Sequence, residues 1–135
     1  MKQKRRLYGD NAEENLEKYL KVIWVDLKNN DCDLQKGPGD EVKLMQMLRN
    51  DYNSSRYDKW VRLITYEKIE KEYIEFCMQA FSSRNIKKEF RKGKKQIECS
   101  YVCLIEGEYR KVCARIRRKA GWYHFPDEVM IYIEA

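Results

Sequence analysis

The residues of this chain with chemical potential are its cysteines, its single histidine and its neighbouring carboxylates, and their spacing builds no reaction centre. Cys32, Cys77, Cys99, Cys103 and Cys113 are odd in number and contain no Cys-x-x-Cys pair, so neither a disulfide framework nor a zinc site is expected. A nucleophilic cysteine needs a base beside it, usually histidine. The one histidine, His124, follows Gly121-Trp122-Tyr123 and reads as a surface loop residue. Glu70 and Glu72 read as solvated helix charges rather than an acid/base couple. No phosphate-cradling glycine loop or Ser-His-Asp set is present. The expectation is a chain that performs no catalysis and holds no metal, with its thiols reduced in the core of a cytoplasmic protein.

Charge opens a second possibility. The chain has 135 residues and a net charge of +6, and clustered Lys and Arg can neutralise phosphates. The densest basic runs are Lys87-Lys88 with Arg91-Lys92 through Lys95, and Arg115 with Arg117-Arg118-Lys119. Acidic residues are interleaved with them, so a solvated face is the favoured reading. A small basic nucleic-acid-binding α+β protein, using Arg110, Lys111, Arg115 and Arg117 on exposed strands, is the alternative. Met1-Lys2-Gln3-Lys4-Arg5-Arg6 is basic but lacks the apolar segment of a signal peptide, and no apolar run approaches the roughly 20 residues of a membrane span.

The elements that must position any site are clearest in the last third. Ile97, Cys99, Tyr101, Cys103 and Ile105 alternate with Glu98, Ser100, Val102 and Leu104, the period of a strand with one buried face. Tyr109 to Ile116 and Val129 to Ile133 follow as two more strands, the first joined through Glu106-Gly107-Glu108, where glycine can take positive φ. Near the N-terminus, Asp10 and Asn11 before Glu13 and Glu14 predict a helix start. The chain divides into a basic tail and helix over 1–19 and a folded unit over 20–135. A strand is predicted from about Leu20 to Leu27, hairpinned to another near Cys32 to Lys36.

Between the two sets of strands the spacing is helical. Gly37-Pro38-Gly39 breaks the chain, and Asp40 is expected to cap a helix carrying Val42, Leu44, Met45, Met47 and Leu48. Ser55 and Asp58 suggest a capping box before Tyr57, Trp60, Val61 and Ile64. Thr65 is expected to cap the next helix, with Ile69, Tyr73, Phe76, Cys77 and Ala80 as its stripe, and Ser83 to start a last one ending at Gly93. The fold class is therefore α+β. One five-stranded antiparallel sheet, two strands before the helical segment and three after, should carry the helices on one face.

This order resembles a PAS domain, of the divergent kind found ahead of GGDEF diguanylate cyclase modules in multidomain bacterial signalling proteins. Lys21-Val22-Ile23-Trp24-Val25-Asp26-Leu27-Lys28-Asn29-Asn30 is similar to that family's first strand and turn. Tyr73-Ile74-Glu75-Phe76 to Phe81, with Ser83, Asn85 and Ile86, resembles its long helix and following turn, and Glu108-Tyr109-Arg110 the start of its fourth strand. The fourth strand departs from the family in reading Tyr109-Arg110-Lys111-Val112-Cys113-Ala114, where a tryptophan is usual. The Gly39-Asp40-Glu41 run is not the cyclase signature, because Pro38 interrupts it and the catalytic domain has no room here.

The resemblance implies a sensory or regulatory domain that senses a small molecule or mediates dimerisation and passes the signal to an output domain such as a diguanylate cyclase, C-terminal in the parent protein. A homodimer through the N-terminal helix, with Leu16, Tyr19 and Leu20 as its stripe, is the expected partner, although the same residues could cover the domain's own sheet. A cavity between sheet and helices would draw on Trp24, Trp60, Ile64, Tyr73, Cys77, Tyr101 and Cys103, with Val112 as a further candidate. Tyr101 and Trp60 lead among them, because a buried hydroxyl or indole N–H needs a polar partner that a ligand could supply. No cofactor is expected: Met45-Gln46-Met47-Leu48 stands where a flavin photosensor would carry its reactive cysteine motif, and His124 lies beyond the helical region that holds a haem ligand.

Overall fold

The computed structural model describes residues 16–51, 55–119 and 127–135. His124 and the predicted helix start at Asp10 lie outside the described residues. Five strands form one antiparallel sheet: β1 (Lys21–Asp26), β2 (Asp31–Lys36), β3 (Gln96–Ile105), β4 (Glu108–Arg118) and β5 (Glu128–Glu134). Their order across the sheet is β2-β1-β5-β4-β3, so the last strand in sequence sits in the centre and joins the two hairpins. Four helices, α1 (Gly39–Arg49), α2 (Arg56–Lys68), α3 (Ile74–Ala80) and α4 (Ser83–Arg91), fill the connection between β2 and β3.

Register assigns each side chain to a face. Opposite Ile23 and Val25 of β1 lie Ile131 and Val129 of β5, and Ile116 and Ala114 of β4 continue the row to Ile97 and Cys99 of β3. These inward residues are buried with Trp60 and Ile64 of α2, Cys77 of α3, and Ile86 and Phe90 of α4 in one core. The period of two seen in Ile97 to Ile105 is thus the core-facing row of β3. The β3–β4 turn also matches: Glu106 and Gly107 both take positive φ, +50° and +85°, the handedness that suits the twist of a two-residue hairpin.

The outward face is less polar than alternation suggested near its centre. Val22 and Tyr132 are buried there with Tyr19, whose ring lies 5.0 Å from that of Tyr132. Tyr19 therefore covers its own sheet. Farther out, Arg115 pairs with Glu98 and Glu134, and Arg117 reaches over the Tyr132 ring.

Three helix boundaries differ from expectation. Asp40 does not cap α1, which starts one residue earlier, behind Pro38. Ser55 precedes α2 with φ of +70° and makes no capping bond. Its task falls to Asn30 in the β1–β2 turn, whose backbone carbonyl accepts from Tyr57 N at 2.9 Å and whose Oδ1 accepts from Asp58 N at 2.9 Å. Thr65 is inside α2 rather than capping its successor, because the helix continues to Lys68. The last helix does start at Ser83 as expected, with Ser82 before it capping α4 by accepting from Asn85 N.

Candidate functional site

The end of α2 is fastened to the sheet, and that junction builds the site. Ile69 leaves the helix in an extended conformation and pairs as a single bridge with Cys103 of β3, while Glu70 N donates to Val102 O at 2.9 Å. Trp60, Ile64 and Lys68 are four apart on α2 and share its sheet-facing stripe. Lys21 opens the inward row of β1 that continues as Ile23 and Val25. Two lysines at the ends of apolar rows thus converge on the same corner of the core.

Between them stands Glu41, in the first turn of α1, only 2% exposed. Its Oε2 accepts from Lys68 Nζ at 2.8 Å. Its Oε1 lies 2.6 Å from Lys21 Nζ, so one buried carboxylate holds both ammonium groups. Lys68 also pairs with the exposed Asp40 at 2.8 Å. Burial, the largest influence, pulls the Lys68 ammonium pKa down, but its bonds to Asp40 and Glu41 outweigh that and leave it raised. The bond from Lys68 holds the Asp40 carboxyl below its usual range.

This charged corner floors an open cleft of about 690 Å³. Its walls include Leu20 and Lys21 at the start of β1, Ile133 at the end of β5, Glu41 of α1, Ile64 and Lys68 of α2, and Tyr101, Cys103 and Ile105 of β3. Behind it a cavity of about 40 Å³ reaches Trp60, Val61 and Phe81, and shares Lys21, Ile64, Ile69, Tyr101 and Ile133 with the cleft. That inner space suits about one or two waters. Tyr101 stands at the boundary, packed edge-on against Phe81 at 5.7 Å. Burial pushes its hydroxyl pKa well up, and the nearby charge of Glu41 adds to the effect.

Of the residues proposed for the cavity, Trp60, Ile64 and Tyr101 line the inner space, and Ile64, Tyr101 and Cys103 line the cleft. Trp24 lies on the opposite face, where its indole N–H donates to Glu128 at 2.9 Å. Cys77 and Val112 are sealed in the core, and Tyr73 packs on its border, none of them lining either space. Lys21, Glu41, Lys68, Ile69 and Ile133 complete the site beyond those expected. A lysine in phase with Ile23 and Val25 was the available signal for Lys21. Nothing in the sequence separates Glu41 from an ordinary acid of a first helical turn.

Burial raises the thiols of Cys32, Cys77 and Cys99 to about 12, leaving them protonated near neutrality. Cys103 is also raised, chiefly by burial, with Lys21 opposing. Among the described residues, no helix is long and apolar enough to cross a membrane.

The sheet order, the helices on one face and the cleft between them define an α+β domain of PAS-like topology. No protein-family model, curated protein or solved structure matches the chain.

Proposed function

We propose that this chain is a non-catalytic sensory or regulatory domain of the PAS type, in which the cleft receives a small molecule and the sheet passes the event to an output domain, such as a diguanylate cyclase of a bacterial signalling protein. One observation carries the reading: the cleft is walled by the start of β1, the end of β5, the end of β3 and two helices, with a buried ion network at their junction. An occupant there touches the strand ends nearest both chain termini. It can shift a conformational balance only by binding one state better than the other, and the Lys21–Glu41–Lys68 network is the group of contacts that would differ between states.

The test is a fragment screen on the chain with isotope-labelled isoleucine methyl groups. Ile64, Ile69 and Ile133 should shift together for binders, and hydrogen exchange should slow in β1 and β5. A library that leaves all three methyls unmoved would count against a small-molecule sensor. The nucleic-acid reading draws on Lys111, Arg115 and Arg117 of the outward face, but Arg115 already holds two carboxylates and Arg117 is bonded to Gln96. Salt-sensitive binding to mixed oligonucleotides would revive it.

A further inference from the structure

We propose that the cleft takes an uncharged organic molecule with a carbonyl group at one end, its oxygen accepting from the Tyr101 hydroxyl in the inner cavity and its apolar body lying on Ile64, Ile69 and Ile133. This rests on reading the cleft as a ligand site and adds the ligand's chemistry.

Three polar side chains meet at the inner cavity. Trp60, Thr65 and Tyr101 all line it, and they are only 2%, 3% and 4% exposed. Each carries one donor, an indole N–H or a hydroxyl. Among the described residues none of these donors has a hydrogen-bond partner, and none is sealed in packed core, so each opens onto the space its residue lines. Tyr57, on the same wall, shows the ordinary arrangement: its buried hydroxyl donates to Phe81 O at 2.6 Å. A donor held out of bulk water without an acceptor is costly, so an acceptor brought in by a ligand is rewarded. About 40 Å³ admits a group the size of a carbonyl oxygen, and the larger cleft beside it takes the rest of the molecule.

The charges of the cleft close on one another and leave none for a ligand. Lys21 pairs with Glu41, and Lys68 with Glu41 and Asp40, two ammonium groups against two carboxylates. At the mouth, Glu17 and Glu106 are exposed and screened by water. A charged head group entering the inner cavity would give up its hydration and meet neutral groups only. A carboxylate there would also face Glu41, whose charge reaches Tyr101. An ammonium would face Lys21, whose Nζ lies 6.0 Å from the centre of the Trp60 ring. The closed network thus discriminates against either ion, and a carbonyl carries neither cost. The apolar row Ile64, Ile69 and Ile133 then accommodates the body.

Four probes share a phenylethyl body and differ at the head: 4-phenylbutan-2-one, 3-phenylpropanoate, 4-phenylbutan-2-amine and butylbenzene. Isoleucine methyl shifts on the full chain report both location and dissociation constant. The ketone should bind at least about tenfold tighter than either ion. Tyr101→Phe should weaken the ketone about fivefold, the scale of one hydrogen bond, and leave butylbenzene within about twofold of its value. On the unaltered chain, the infrared carbonyl stretch of the bound ketone should lie below its value in hexane, as that of a hydrogen-bonded carbonyl does, and this readout stands even where the variant folds poorly. An ion binding as tightly as the ketone overturns the uncharged assignment and leaves the cleft as a ligand site. A stretch equal to that in hexane, or a ketone indifferent to Tyr101→Phe, overturns the carbonyl assignment in the same way. Failure of all four probes to move the cleft methyls overturns both readings.

Discussion

Replacing Glu41 with glutamine should be the most destabilising single-charge change in this domain. The side chain is 2% exposed and holds two ammonium groups, at 2.6 and 2.8 Å, that are themselves largely out of water. Glutamine preserves the volume, so the change isolates charge from packing. Removing one partner of a buried ion pair typically costs about 3–5 kcal/mol, because the remaining charge stays desolvated and unpaired. The lower end applies here, since Lys68 keeps Asp40 and the cleft lets water reach Lys21. A loss of about 3 kcal/mol corresponds to a fall in Tm of about 10 °C for a chain of this length. Urea titration and calorimetry of both proteins give the number. The pair Lys21→Met and Glu41→Gln, made singly and together, should show a coupling of more than about 1 kcal/mol, because the double change leaves no orphan charge at that contact. The difference should also resist added salt, as buried pairs are weakly screened. A loss under about 1 kcal/mol, or one abolished by salt, would mark these as surface-like ion pairs and refute the argument.

Alkaline titration should erode stability from about pH 9 upward. Cys32, Cys77 and Cys99 have folded pKa values of about 12 against 9.0 for a free thiol, so the unfolded chain loses these protons first and stability falls as pH rises through that window. Each contributes a slope of about 1.4 kcal/mol per pH unit, readable by urea midpoints at stepped pH; a flat profile between pH 9 and 11, about two units, would contradict burial of the three thiols. The raised Lys68 adds to the decline above its ordinary 10.5, again because the folded state holds its proton longer. Asn30→Gly keeps the turn's positive φ of 54° but removes the side chain that caps α2, and should cost about 1–2 kcal/mol by denaturant titration. With a disulfide reagent at neutral pH, the partly exposed Cys103 and Cys113 should react before the buried Cys32, Cys77 and Cys99, as mapped by mass spectrometry. Labelling of Cys77 first would contradict its complete burial.

The parts of the fold that were legible are those whose signal is local. Ile97 to Ile105 alternates because β3 has one face in the core and one in water, and Gly107 marks a turn that needs positive φ. Both hairpins and the split of two strands from three follow from such patterns. The errors arise where a residue's partner is distant in sequence. Ser55 has the composition of a cap, but the capping groups for α2 come from Asn30 on the far side of a hairpin, β2 and α1. Thr65 has the composition of a helix start, but the Trp60, Ile64 and Lys68 stripe carries α2 past it until Ile69 is captured by β3.

Trp24 was misplaced for a related reason. β1 lies between β2 and β5, and both its faces are covered: Ile23 by the helices, Val22 by Tyr19 and Tyr132. A strand buried on two sides shows a continuous apolar run, and Val22-Ile23-Trp24-Val25 carries no phase by which to choose a face. The phase enters through Lys21. Its ammonium has a carboxylate waiting inside the fold, so it can occupy the same inward row as Ile23 and Val25, at the row's open end. Apolar pattern alone would place a lysine outward, and only the meeting of β1, α1 and α2 makes the inward position favourable. That meeting also creates the cleft. The residues that pattern reading found, Trp60, Ile64 and Tyr101, form its apolar wall, while the charges that would give it selectivity come from three separate elements brought together by the fold.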